Sequence, residues 1–208
     1  RLTKYTGQSK EFVHPKHFLN PKPWFTKYLN KKDLVVDLGT GNGQNAIKCA
    51  KIAKEVTGIE IDYKLIEIAQ KTAKENELKN LHFESFDLEK KLSLKNSLFD
   101  KVILLDVLEH INKRDQILKE IHRILKSKGL LLVGVPNKDT SWKKTQRSVG
   151  VPSFSDPDHK IEFSEKEIRK LLEKHKFKII KFEYAPYDTP FRGLFDIIGV
   201  FSLPIYRK

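Results

Sequence analysis

The stretch Leu34-Val35-Val36-Asp37-Leu38-Gly39-Thr40-Gly41-Asn42-Gly43 decides the fold. A short apolar run with one carboxylate leads straight into glycines, the pattern of a buried strand ending in a tight turn. Ala46, Ile47, Ala50 and Ala53 follow at helical spacing, so the unit reads strand, glycine loop, helix. Glycines at such a turn let the backbone bend sharply and approach a ligand without a Cβ clash. A dinucleotide fingerprint, G-x-G-x-x-G, would place its third glycine where Gln44 stands. Here Gly43 comes one residue early.

Downstream, strand and helix patterns alternate. Val56 to Ile61 reads as a second strand, and Asp62 as the cap of a helix with an apolar stripe at Leu65, Ile66, Ala69 and Ala73. Leu81 to Glu84 suits a third strand and Asp100 to Asp106 a fourth. Ile117, Leu118, Ile121, Ile124 and Leu125 form a helical stripe that stops at Gly129, before a strand over Leu130 to Val135. Residues 137–160 are loop-like, and Ser164 with Glu167 makes a capping box ahead of Ile168, Leu171 and Leu172. Phe177 to Tyr184 closes as a strand, and Phe195 to Ile205 offers one more. Alternating β and α units with short connections predict an α/β fold: a doubly wound parallel sheet with helices on both faces.

Composition narrows the function classes. The 208 residues carry 40 Lys+Arg against 27 Asp+Glu, a net +13 that favours an anionic partner such as nucleic acid, a phosphorylated substrate or a membrane surface. The surplus is uneven: +6 over residues 1–33, +2 over 34–135 and +5 over 136–208. The single Cys49 excludes an intramolecular disulfide and a Cys-rich zinc module, and is expected as small core filler. No window is apolar enough to span a bilayer and the first ten residues lack a secretory pattern, so a soluble cytoplasmic protein is expected. Met is absent even at position 1, which suggests a trimmed start.

Sheets of this kind bind ligands beyond the C-terminal strand ends, at the point where strand order reverses. An acid stands near each of those ends. Asp37 would repel phosphates and welcome a cationic amino-acid group; Glu60, in Gly58-Ile59-Glu60-Ile61-Asp62, is placed to accept both hydroxyls of a ribose. Asp87, in Phe86-Asp87-Leu88, is placed to accept an adenine amino group. The combination points to a nucleoside or sulfonium ligand rather than a pyrophosphate.

These residues resemble the class I S-adenosylmethionine-dependent methyltransferases. Val35 to Gly43 is similar to that family's first motif, Gly58 to Asp62 to its ribose-binding acid, and Phe86-Asp87 to its adenine-contacting segment. Phe99 to Val102 and Asp106-Val107-Leu108-Glu109-His110 resemble the fourth motif. Lys126 to Val133 resembles the signature after the following helix, with Lys128 where Pro is usual. The resemblance spans about residues 20–184. It implies S-adenosylmethionine as cofactor and S-adenosylhomocysteine as product, with contacts from Asp37, Gly39, Thr40, Gly41, Gly43, Glu60, Ile61, Asp87, Leu88 and Asp106. It also implies a single Rossmann-like domain over 34–208, mostly parallel with an antiparallel last strand. Residues 1–33 would form a lid or cap over the cofactor, and 136–163 an acceptor-side loop.

Methyl transfer to a hydroxyl also requires loss of a proton, hence a base or a metal. Glu109, His110 and His159 are the candidates for catalysis. Asp106-x-x-Glu109-His110 resembles a segment of ubiquinone-type O-methyltransferases. The same segment together with Asp158-His159-Lys160-Ile161-Glu162-Phe163 partly resembles the metal-holding residues of Hen1-type RNA 2′-O-methyltransferases. Glu109, His110 and His159 are therefore also candidate ligands for a divalent metal. Trp142, Lys143, Lys144 and Arg147 would hold phosphate or stack a base, and the tail Phe191 to Ile205 would rest on a membrane surface or pair as a strand. His175 is expected as a helix-end residue. The leading expectation is O-methylation of a small molecule, glycan or lipid-linked acceptor. RNA methylation is the alternative enzyme reading, and a non-catalytic cofactor-binding regulator the alternative of another class.

Overall fold

Val35, Val36 and Leu38 lie almost wholly out of water, and Leu34–Leu38 forms β1, the centre of the sheet. The structure, a computed structural model, describes residues 23–150, 153–154 and 156–184, apart from the Trp142 side chain. After a 3-10 turn at Trp24–Tyr28 come β1, α1 (Gln44–Ala50), β2 (Glu55–Glu60), α2 (Tyr63–Glu75), β3 (Leu81–Ser85), β4 (Phe99–Leu105), α3 (Arg114–Ile124), β5 (Leu125–Gly134), α4 (Ser141–Ser148) and α5 (Glu165–Lys174). The chain divides into a compact unit Phe25–Ile180 and a second unit of Arg1–Trp24 with Lys181–Lys208, of which 23–24 and 181–184 are described. The expected lid over 1–33 falls mostly, and the tail strand over 195–205 wholly, outside the described residues.

All four strand pairings are parallel, in the order β3-β2-β1-β4-β5. The chain steps outward from β1 to β3, then crosses back to β4 on the other side of β1. With right-handed crossovers this puts α1 and α2 on one face of the sheet and α3 on the other. The C-terminal ends of β1 and β4 are left side by side at the reversal. Apolar faces explain the packing. Ile66, Ala69 and Ala73 of α2, and Ile117, Leu118, Ile121 and Ile124 of α3, are buried. Asp62 caps α2 by accepting from Lys64 N at 2.8 Å, and the Ser164–Glu167 capping box opens α5.

Three expectations change. First, the expected antiparallel last strand is not borne out: the five-stranded sheet of the described residues is all parallel. Among the described residues, 177–180 stand in no strand of that sheet, and Ile180 is 76% exposed. An apolar-rich pattern supplies a strand's side chains but not the neighbouring edge it must bond to. Second, α3 ends at Ile124 and Leu125 already belongs to β5, which pairs with Phe99 before a register shift. Third, the loop-like 137–160 contains a full helix, α4.

Candidate functional site

The glycine loop is tied to β2 by its own backbone. Gly39 N and Thr40 N both donate to the Ile59 carbonyl, at 2.8 and 2.9 Å. Gly39 and Gly41 have φ of +72° and +55°, the left-handed region that glycine enters without cost. They serve different surroundings. A Cβ on Gly39 would lie 2.5 Å from Cγ2 of Val107, just past β4, whereas one on Gly41 would meet nothing within 4 Å. Gly39 lets the loop press against the end of β4; Gly41 faces open space, where a ligand can approach the bare backbone. Gly43, also at positive φ, is the N-terminal cap of α1.

Two carboxylates flank this loop. Asp37, only 2% exposed, accepts from the Thr40 hydroxyl at 2.7 Å. Burial pushes its carboxyl up to about 6, and the nearby Glu60 charge adds to the rise, against the Thr40 hydrogen bond. A group held in this state gains from any cation brought beside it. Glu60 grips the loop: Oε2 accepts from Gly41 N at 2.9 Å, while Oε1 accepts from Ile61 N at 2.8 Å and Asp62 N at 3.1 Å. Ile61 is 64% exposed beside it. Phe86 N donates to the Glu60 carbonyl at 2.9 Å, which brings the Asp87-Leu88 turn to the same end of the sheet. There Asp87 accepts from Glu89 N at 2.9 Å and Leu88 is buried. Asp106, exposed at φ +53°, donates its N–H to the Gly134 carbonyl at 3.0 Å and turns the chain out of β4.

That turn carries Glu109 and His110 toward the loop that follows β5. Lys160 N donates to the Glu109 carbonyl at 2.8 Å and so brings His159 alongside. The His110 and His159 rings meet edge to face with centroids 4.8 Å apart. Ligand atoms of Glu109, His110 and His159 all lie within 4.8 Å of one another. Burial, then the adjacent His159, pulls the His110 imidazole below its ordinary value, with Asp156 and Asp158 opposing. A neutral imidazole at neutral pH is a proton acceptor or a metal ligand. Of the sequence-predicted groups, then, Asp37, Thr40 and Glu60 stand together around the glycines, and the Glu109–His110–His159 cluster follows the neighbouring strand end.

Sequence reasoning missed the support behind His159. Nδ1 of His159 lies 3.0 Å from Oε1 of Glu162, and the other Glu162 oxygen pairs with the Lys143 ammonium. Lys143 is 2% exposed and Glu162 likewise, so Lys143 is a structural cation of α4 rather than a surface anchor for an anion. Arg147 donates to the Lys138 carbonyl at 2.8 Å; Lys144 stays exposed. The i, i+3 spacing of His159 and Glu162 was the one available signal. Cys49 is buried as expected, and burial raises its thiol. His175, at the end of α5, bonds Asp115 at 2.6 Å. No helix among the described residues is long and apolar enough to cross a membrane.

Comparison with known proteins agrees with this layout. A family model described as "Methyltransferase domain" matches residues 29–180. The chain is 37% identical over 121 residues to an uncharacterised protein of Methanocaldococcus jannaschii, covering 57% of this chain and 48% of that protein. It is 30% identical over 104 residues to a ubiquinone biosynthesis O-methyltransferase of Pelagibacter ubique, covering 50% and 42%. The matched stretch therefore spans about half the length of these curated relatives. Among solved structures, a SAM-dependent methyltransferase from Methanosarcina mazei superposes with a TM-score of 0.66 at 24% identity, over 83% of this chain and 92% of that one. At that identity the likeness speaks for the fold. The open backbone at Gly41 and the paired acids Asp37 and Glu60 suit a cationic nucleoside. With residues 29–180 matched, the chain belongs to the methyltransferase-domain family.

Proposed function

We propose that this chain is an O-methyltransferase of a small-molecule, glycan or lipid-linked acceptor. The observation that carries the reading is the convergence of Glu109, His110 and His159 just beyond β4, whose end touches the glycine loop through Val107 and Gly39. Asp37 would hold the amino group of an S-adenosylmethionine cofactor, Glu60 its ribose hydroxyls, and Asp87 its adenine amine, with Ile61 and Leu88 against the base. Gly39, Thr40, Gly41 and Gly43 would shape the backbone cradle, and Asp106 would border the methyl-donating end. The cofactor supplies a methyl group on a sulfonium, an electrophile that needs only an aligned nucleophile. The chain's own contribution is to align the acceptor oxygen and take its proton, for which His110 or His159 serves as base. The ubiquinone O-methyltransferase relatives support the same acceptor chemistry.

The positive surplus outside residues 34–135 supports an acceptor bearing anionic groups. A second reading, RNA 2′-O-methylation with a divalent metal, is favoured by one observation. Two imidazoles and a carboxylate converge, and one imidazole is braced by a second carboxylate, as metal-bound histidines commonly are. Glu109, His110 and His159 would hold that ion, and it would lower the pKa of a bound hydroxyl.

The test is incubation of the purified chain with isotope-labelled cofactor and separate phenolic, glycan, lipid-linked and RNA pools, with products identified by mass spectrometry. A methyl ether in one of the first three pools is the expected result. Label confined to ribose in RNA would establish the second reading. Label on nitrogen or carbon, or in no pool despite tight cofactor binding, would overturn O-methylation.

A further inference from the structure

The first reading leaves the buried pair behind His159 unused, and the second uses only its carboxylate, as a brace. A carboxylate only accepts hydrogen bonds, so the 3.0 Å contact from His159 Nδ1 to Glu162 requires the proton to sit on Nδ1. Free imidazole side chains favour the proton on Nε2, so the contact imposes the less common tautomer. Glu162 itself would be a costly buried charge, and a basic one able to take that proton, were it not paired with Lys143. On the far side of the ring, Nε2 lies 3.8 Å from Oε1 of Glu109, too far for a hydrogen bond and close enough to share a small ligand atom.

We propose that Lys143 and Glu162 are positioning residues for His159. The buried pair holds the imidazole as its Nδ1–H tautomer and so turns a bare Nε2 toward Glu109 and His110. Lys143 comes from α4 and Glu162 from the turn before α5, so the arrangement also links His159 to the seating of α4. Under the proposed function that bare nitrogen is the atom that takes the acceptor's proton, and in this respect the inference rests on that reading. The tautomer itself does not depend on it.

The experiment therefore reads the ring directly. Long-range 1H–15N correlation spectra of the uniformly 15N-labelled chain at pH 8.5, with His159 assigned by comparison with His159→Gln, distinguish the two tautomers. The wild type is expected to show protonated Nδ1 and bare Nε2. Glu162→Leu should revert to protonated Nε2, and Lys143→Met should shift the His159 nitrogens toward a mixture. A wild-type ring protonated on Nε2, or on both nitrogens, overturns the proposal and needs no variant to fold. Retention of the Nδ1–H tautomer in folded Glu162→Leu overturns it as well. A second measurement separates this result from that for function: Glu162→Gln should lower kcat at least tenfold while cofactor affinity changes less than twofold. Correct tautomers in a chain that transfers no methyl group to oxygen would leave the positioning intact and defeat only the proposed function.

Discussion

Gly39 and Val107 meet where β1 and β4 end, and there is no room between them for a methyl group: a Cβ at position 39 would fall 2.5 Å from Cγ2 and 3.0 Å from Cγ1 of Val107. Gly39→Ala adds that clash to a left-handed φ. Backbone strain of about 1–2 kcal/mol and overpacking of about 1–3 kcal/mol should together lower stability by roughly 2–5 kcal/mol in urea unfolding. Val107→Ala in the same chain should return the overpacking part only. Full additivity of the two substitutions would show that the contact is not what limits position 39. Gly41→Ala, with open space around it, should cost only about 1–2 kcal/mol of strain yet weaken cofactor binding.

Asp37 makes the protein less stable as pH rises. Its folded-state value of about 6 lies above the ordinary 3.8, so between pH 4 and 6 the native state binds more protons than the unfolded chain. The favourable contribution is present below about pH 4 and is lost as pH rises through about 6, a swing of about 3 kcal/mol. Asp37→Asn should therefore stabilise the cofactor-free protein at pH 7–8 by about 1–3 kcal/mol while weakening cofactor binding at least tenfold. Unfolding curves at pH 5 and 8, with titration calorimetry, check both signs. In the wild type, cofactor binding near pH 6 should release protons, because the incoming cation favours the ionised carboxyl.

How legible this was in the sequence varies with the range of the interaction. The β1 run, the glycine loop, Asp62 and the Ser164–Glu167 box are set by neighbours within a few residues, and periodicity with turn chemistry finds them. Glu109, His110 and His159 were legible as candidates through motif resemblance, but their meeting depends on a backbone bond between Lys160 and Glu109. Lys143 was misread because a lysine's burial is a property of what packs on it, and its partner is 19 residues away in sequence. The antiparallel pairing expected of a last strand was not legible for the same reason. A strand's side-chain pattern is local, and the edge it needs is not.

Glu60 offers the cleanest test of the cofactor side. Its two oxygens take three backbone N–H groups from Gly41, Ile61 and Asp62, so it shapes the loop, and under the proposed function it would also hold the ribose. Hydrogen bonds to a charged group contribute about 1.5–3 kcal/mol. Glu60→Gln keeps one accepting oxygen but sets its amide NH2 against a backbone N–H at the other, so it should weaken cofactor binding about 10–100-fold by calorimetry and lower the melting temperature by a few degrees. Glu60→Ala should also lower the melting temperature. Unchanged affinity in both would remove Glu60 from the site.

The acceptor-side cluster separates a base from a metal by chelation. Bonds of about 2.1 Å put opposite ligands of one ion about 4.2 Å apart, and the ligand atoms of Glu109, His110 and His159 spread over up to 4.8 Å, so a shared ion would draw them inward. A neutral imidazole needs no such movement to accept a proton. Under the O-methyltransferase reading, protein dialysed against EDTA should keep its methyl-transfer rate within twofold. His110→Ala and His159→Ala should each be measured alongside, with the residue acting as base showing a loss of about 10²–10⁴-fold in kcat. Loss of activity on chelation, restored by a divalent cation and absent from a Glu109→Gln chain, would assign the cluster to metal-assisted transfer instead.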